Sequence, residues 1–166
     1  MDNALHDLFV DGLKDLLWAE EHLSKNLSKM IKGATSDELK KAFENHPKET
    51  NEHINRLKQV FESIGEKAQA VKCDAMDGLL KEAEELLKES DKGTLAREAA
   101  LIAGAQKIEH YEIASYGTLA TYAKFMGPYK AKQLFGKMLN EEKSADVILT
   151  GIAENFVNEL AINEKA

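Results

Sequence analysis

Glu20, His46, Glu49, His53, Glu109, Glu112 and Glu142 stand where a helical repeat would otherwise place apolar side chains. Glu20 falls between Leu16 and Leu23/Leu27. His46, Glu49 and His53 follow Leu39 and Phe43 at steps of three and four, which keeps them on one helix face. Glu109 and Glu112 interrupt the run from Ile102/Ala105 to Tyr116/Leu119, and Glu142 interrupts that from Phe135/Met138 to Ala145/Leu149. Each stretch thus aims carboxylate inward near its middle. Like charges buried at this density carry a heavy desolvation cost or take up protons. A pair of divalent cations removes the difficulty. Oxygen-rich ligands with some imidazole suit iron or manganese better than a structural zinc site. The expected cofactor is therefore metal, iron foremost, with manganese or zinc as alternatives.

Any one of these glutamates alone is an ordinary solvated residue in a chain that is 31% charged. Their coincidence on the stripes is what points to a cluster. His46 and His53 read equally as ligands or as packed histidines. Asp146 shares a face with Glu142, and Asp15 either orients a ligand or faces solvent. His110 lies one residue off the Glu109/Glu112 face and suits a helix–helix hydrogen bond, whereas His6 and His22 read as surface residues. Trp18, Tyr111, Tyr116 and Tyr122 are core aromatics by spacing, with an electron relay as the rarer reading.

The elements that must carry these residues are all helices, since the apolar period is helical throughout and nothing alternates like a strand. The first runs from about 3 to 32 and ends at Gly33. Thr35 and Glu38 form a capping-box start for a second, about 36–64, in which Pro47 should kink the backbone beside His46. A long connection over 66–94 contains a shorter helix, about 74–90, closed by the Asp91-Lys92-Gly93 turn. Thr94 caps a third long helix, about 95–125. Gly127-Pro128 breaks it and opens the fourth, about 128–160, and the tail from 163 frays.

Two tight hairpins joined by a long link describe an all-α, ferritin-like four-helix bundle with one crossover that holds an extra short helix. Glu20 and Glu49 are equidistant from the Gly33–Thr35 turn, and Glu109 and Glu142 from the Phe125–Gly127 turn. These positions lie roughly 22 and 25 Å along helices about 45 Å long. With the turns at opposite ends, all four glutamates meet at mid-bundle.

The 166 residues make one domain, 1–166, with net charge −7 and a sequence pI near 5.3. That balance argues against nucleic-acid or anionic-membrane partners. Cys73 is the single cysteine, so no internal disulfide forms and a reducing compartment is expected. No basic segment precedes an apolar run at the N-terminus, and no apolar stretch is long enough to cross a bilayer. A cytoplasmic protein follows.

The strings LWAEEHL (17–23), HPKETNEHINRL (46–57), KCDAMDGLL (72–80), EHYEIASYGTLA (109–120) and LNEEKSAD (139–146) resemble the YciE/YciF-type ferritin-like stress proteins over nearly the whole chain. The resemblance implies a rubrerythrin-like bundle, a cytoplasmic homodimer and induction under stress. It also implies metal positions at Glu20, Glu49, Glu109, Glu112 and Glu142, with His46 beside them. Two positions depart from the E-x-x-H pattern of ferritin-like oxidases: Glu52 stands three residues after Glu49, and Ala145 three after Glu142. The expected function is a stress-response metal protein that handles iron, oxygen or peroxide. The competing expectation is a non-enzymatic structural or interaction protein with a vestigial site. No catalytic side chain is assigned.

Overall fold

A computed structural model of the chain describes residues 4–126 and 129–164. Among these the chain is helical from end to end: α1 (Ala4–Gly33), α2 (Asp37–Glu44), α3 (His46–Ser63), α4 (Asp74–Glu89), α5 (Leu95–Met126) and α6 (Tyr129–Ile152). A π stretch, Ala153–Val157, then leads into α7 (Asn158–Ile162). Gly127 and Pro128, where the sequence places the last break, and the far end of the fraying tail lie outside the described residues.

Helices α1, α2–α3, α5 and α6 form the bundle. α1 packs on α3 and α5, and α6 packs on α5 and α3. The crossover helix α4 lies along α5 and α1. This is the expected ferritin-like four-helix bundle with a helix in its crossover. Glu98 at the start of α5 meets the α1–α2 turn, while Leu8 and Gly12 of α1 share a cavity wall with Leu119 and Tyr122 near the end of α5. α1 and α5 are therefore antiparallel, and the two hairpins turn at opposite ends.

The stripes read from sequence are the buried faces. Leu13, Leu16, Leu23 and Leu27 of α1 meet Leu57 and Val60 of α3, Ile102, Ala105 and Leu119 of α5, and Phe135, Met138 and Leu149 of α6. Two apolar clusters result. One is built around Phe9, Phe61, Tyr116 and Phe135, and the other around Leu27, Phe43, Met76 and Ile102. The polar centre lies between them. No helix among the described residues is long and apolar enough to cross a membrane.

Two local expectations are corrected. The capping box at Thr35 does not form: Ser36 is the N-cap of α2, its hydroxyl accepting from Leu39 N at 3.2 Å. The backbone amides of Thr35 and Ser36 are taken by the Glu98 carboxylate at 2.5 and 3.3 Å, and the Ser36 hydroxyl also donates to it. A distant acid thus does what a local Glu38 was expected to do. The second long helix, moreover, is interrupted rather than kinked. Asn45 separates α2 from α3, and Pro47 sits in the first turn of α3, where its missing N–H costs nothing. By contrast, Thr94 caps α5 as expected, its hydroxyl accepting from Arg97 N. Gly65 and Gly93 end their turns with φ of 74° and 84°, a region closed to most side chains.

Because Glu98 is 1% exposed and ties α5 to the α1–α2 turn, replacing it takes a charged acceptor away from the Thr35 and Ser36 donors. Glu98→Ala is expected to cost about 1–3 kcal/mol in denaturant unfolding. An unchanged unfolding midpoint would show that the staple contributes nothing.

Candidate metal centre

The residues that meet at mid-bundle are Glu20, His53, Glu109, Glu112 and Glu142. Glu20, His53 and Glu142 each bring one ligand atom within 4.8 Å of the others, and so do Glu109, Glu112 and Glu142. The two triads share Glu142. All five residues are buried, none more than 5% exposed. Helical spacing accounts for their convergence. Glu109, Glu112 and Tyr116 descend one face of α5 at steps of three and four, and His53 lies on the α3 face that carries Thr50 and Leu57. Glu142 sits on α6 between Met138 and Ala145, both buried.

His53 is the cluster's internal cation. Its Nδ1 lies 2.9 Å from Glu142 Oε1 and 3.2 Å from Glu20 Oε1, and its Nε2 lies 3.0 Å from Glu141 Oε2. Burial alone would lower its pKa, but the bonds to Glu142 and Glu20 override that and push it up to about 11. Arg56 donates to the same Glu141 oxygen. Burial works against that carboxylate, yet Arg56 and His53 together hold its pKa down. The Tyr116 hydroxyl, fully buried, donates to Glu20 Oε1.

One imidazolium does not balance four carboxylates. Glu20 Oε2, Glu109 Oε2 and Glu112 Oε1 are buried without a hydrogen-bond partner. Burial raises the pKa of all three: Glu109 reaches about 10 with the help of Glu142, and Glu112 rises well above its ordinary value with the added charges of Glu20 and Glu142. Oxygens deprived of both water and donors, on two facing helices around one point, are the arrangement that a cation satisfies. The donor set, mostly carboxylate with one imidazole, fits iron or manganese.

Of the residues expected from sequence, the structure keeps His46 out of both triads, and likewise Glu49. Glu49 is half-buried at the rim, in the wall of a cavity with His46 and Glu141. The reason is rotational. The buried positions of α2 and α3, Leu39, Phe43, His46, Thr50, His53 and Leu57, follow one another at steps of four and three, and Glu49 stands one residue off this line. A slip of one residue turns a helix side chain by about 100°. Glu20 therefore faces His53 rather than Glu49. Thr50, buried, occupies the position three before His53.

His46 is buried at the edge, with Nδ1 3.7 Å from Glu109 Oε1. Burial lowers its pKa, which keeps the ring neutral. Asp146 stays outside the triads, accepting from Gln106 at 3.0 Å and facing His110 at 3.3 Å, so His110 does make a helix–helix contact. Asp15 accepts from the Tyr111 hydroxyl at 2.6 Å, and Tyr111 is 3.2 Å from Cys73 Sγ. His22 stacks on Trp18. Sequence reasoning missed Glu141, Arg56 and the role of Tyr116. The signal for the first two was present: His53 and Arg56 are three apart, as a relay to one carboxylate requires.

A family described as a domain of unknown function, DUF892, matches residues 4–162. Protein YciF of Escherichia coli (strain K12) is 45% identical over 162 residues, 97% of each chain. The crystal structure of the E. coli stress protein YciF superposes with a TM-score of 0.88 at 43% identity, covering 99% of this chain and 100% of that one. YcfI from Rhodopseudomonas palustris is also similar, with a TM-score of 0.84 at 42% identity over 89% of this chain and 94% of that one. A Xanthomonas campestris protein, 19% identical with a TM-score of 0.75, shares the fold. The bundle, its crossover helix and its sequence together place the chain in the DUF892 family, among the relatives of YciF.

Proposed function

We propose that this protein is a YciF-like stress-response protein that binds a pair of divalent metal ions, iron foremost, at the mid-bundle cluster. One observation carries the reading: the partnerless buried oxygens of Glu20, Glu109 and Glu112 surround the shared carboxylate of Glu142. Two triads sharing one carboxylate offer two places for a cation. The charge of two dications also balances four carboxylates once His53 gives up its extra proton. Glu20, His53 and Glu142 would hold one ion, and Glu109, Glu112 and Glu142 the other. Bound iron would supply one-electron chemistry toward oxygen or peroxide that no side chain here possesses. The protein's own part is to exclude water, to hold Glu20 through Tyr116, and to orient His53 through Glu141 and Arg56. Resemblance to the YciE/YciF-type proteins supports extending the reading to a cytoplasmic homodimer under stress.

The competing reading, a structural bundle with a vestigial acidic centre, draws on Thr50 and Ala145, which stand where an E-x-x-H pattern would carry glutamate and histidine. Metal uptake decides between them. Protein stripped of metal and titrated anaerobically with iron(II), then with manganese(II), should take up two ions per chain and release protons into a weakly buffered solution. Glu20→Ala combined with Glu109→Ala should abolish uptake while the chain stays helical. Absence of uptake by the unaltered protein selects the structural reading. Peroxide added to the reduced iron form should change its visible absorbance.

Stability supplies an independent check. The buried Glu112 carboxyl gives nothing back for its desolvation without a cation, so Glu112→Leu should stabilise the metal-free protein by about 1–3 kcal/mol while weakening metal binding. A metal-free protein destabilised by this change would contradict the account.

The pH dependence has a definite sign. Folding raises Glu109 from an ordinary 4.5 to about 10 and His53 from 6.5 to about 11. Each therefore binds its proton more firmly in the folded chain, so its contribution is complete below the unfolded value and drains away as pH climbs to the folded one. The melting temperature of metal-free protein should fall between about pH 5 and pH 9, and saturating manganese should flatten that fall. A metal-free melting temperature that rises with pH over this window would refute the assignment.

A further inference from the structure

A cavity of about 640 Å³ opens between α2, the start of α3, and α6, with Ala42, Asn45, His46, Glu49, Glu141 and Ser144 in its wall. Its inner side is the His46 ring. The same ring also lines a void of about 10 Å³ with Leu23, Phe43, Ile108 and Glu109, room for one water-sized body. His46 thus separates an open cavity from a cluster carboxylate. The cavities on other faces, between α1 and α5 and beside α4, have neither His46 nor a cluster member in their walls.

The ring is held lightly. Its Nδ1 is 3.7 Å from Glu109, beyond hydrogen-bond length, and the ring meets Phe43 edge-on, with centroids 6.1 Å apart. His53, about two turns along the same helix, is fixed through both nitrogens. His46 also opens α3 directly after the break at Asn45, and Pro47 beside it has no N–H to offer. The ring can turn aside without breaking a bond.

We infer that this cavity is the route by which a divalent cation reaches the centre. His46 acts as the swinging door, and Glu49 and Glu141 are the carboxylates that first meet the ion. The inference rests on the metal-binding reading above. It also gives the rim position of Glu49 a use that the triads do not.

Blocking the route should separate rate from capacity. In a Cys73→Ser background, Ser144→Cys places a thiol in the cavity wall, and Thr118→Cys places one in the α1–α5 cavity as a control. Each is measured before and after alkylation with a bulky maleimide, following cobalt(II) uptake by stopped-flow absorbance. Alkylation at position 144 should slow uptake by at least about tenfold and leave the final stoichiometry unchanged. Alkylation at position 118 should alter neither. Equal rates with and without the label at 144, or equal slowing at 118, would overturn the route while the metal site stands. Unlabelled protein that takes up no cobalt, manganese or iron would overturn both.

Discussion

Four carboxylates share a water-poor centre with one histidine, and the rest of the molecule is arranged to make that tolerable. Apolar packing above and below drives the helices together, and their pitch leaves Glu20, Glu109, Glu112 and Glu142 no access to solvent. Without a cation the cluster survives by keeping protons and by recruiting His53 as a local positive charge. A fold optimised only for stability would place leucine at Glu112. Retaining an acid with a partnerless buried oxygen is the kind of local cost that accompanies a binding site.

The surroundings of His53 show how the neighbouring residues serve that centre. Nδ1 faces the cluster, while Nε2 is claimed by Glu141, itself pinned by Arg56. This fixes the ring's orientation whether or not a proton remains on Nδ1. Tyr116 does the same for Glu20, leaving its second oxygen pointed inward. The centre is thus pre-shaped on the α1, α3 and α5 sides, and the looser region is the His46 edge beside the interruption at Asn45.

Much of this was legible in the sequence because the informative signal is an interruption. A glutamate inside a long apolar stripe has one inward direction, and in an unbroken helix that direction is set by counting, as Glu20, Glu109, Glu112 and Glu142 show. Counting failed at Glu49, which shares a face with His46 and His53 at steps of three and four but lies at its edge, one residue before the buried Thr50. The Glu98 staple was equally hidden, since its partners at Thr35 and Ser36 lie more than sixty residues away in sequence. Glu141 was overlooked beside Glu142 because its value comes from Arg56 on another helix. The π stretch at Ala153–Val157 left no mark in the apolar period.

The most direct test of the central claim is anomalous X-ray diffraction from crystals of the protein soaked in manganese(II), with data collected at the manganese edge. The account predicts two peaks in the bundle centre, one on each side of the Glu142 carboxylate. A map with no peak there, or with manganese confined to exposed surface carboxylates, would contradict it.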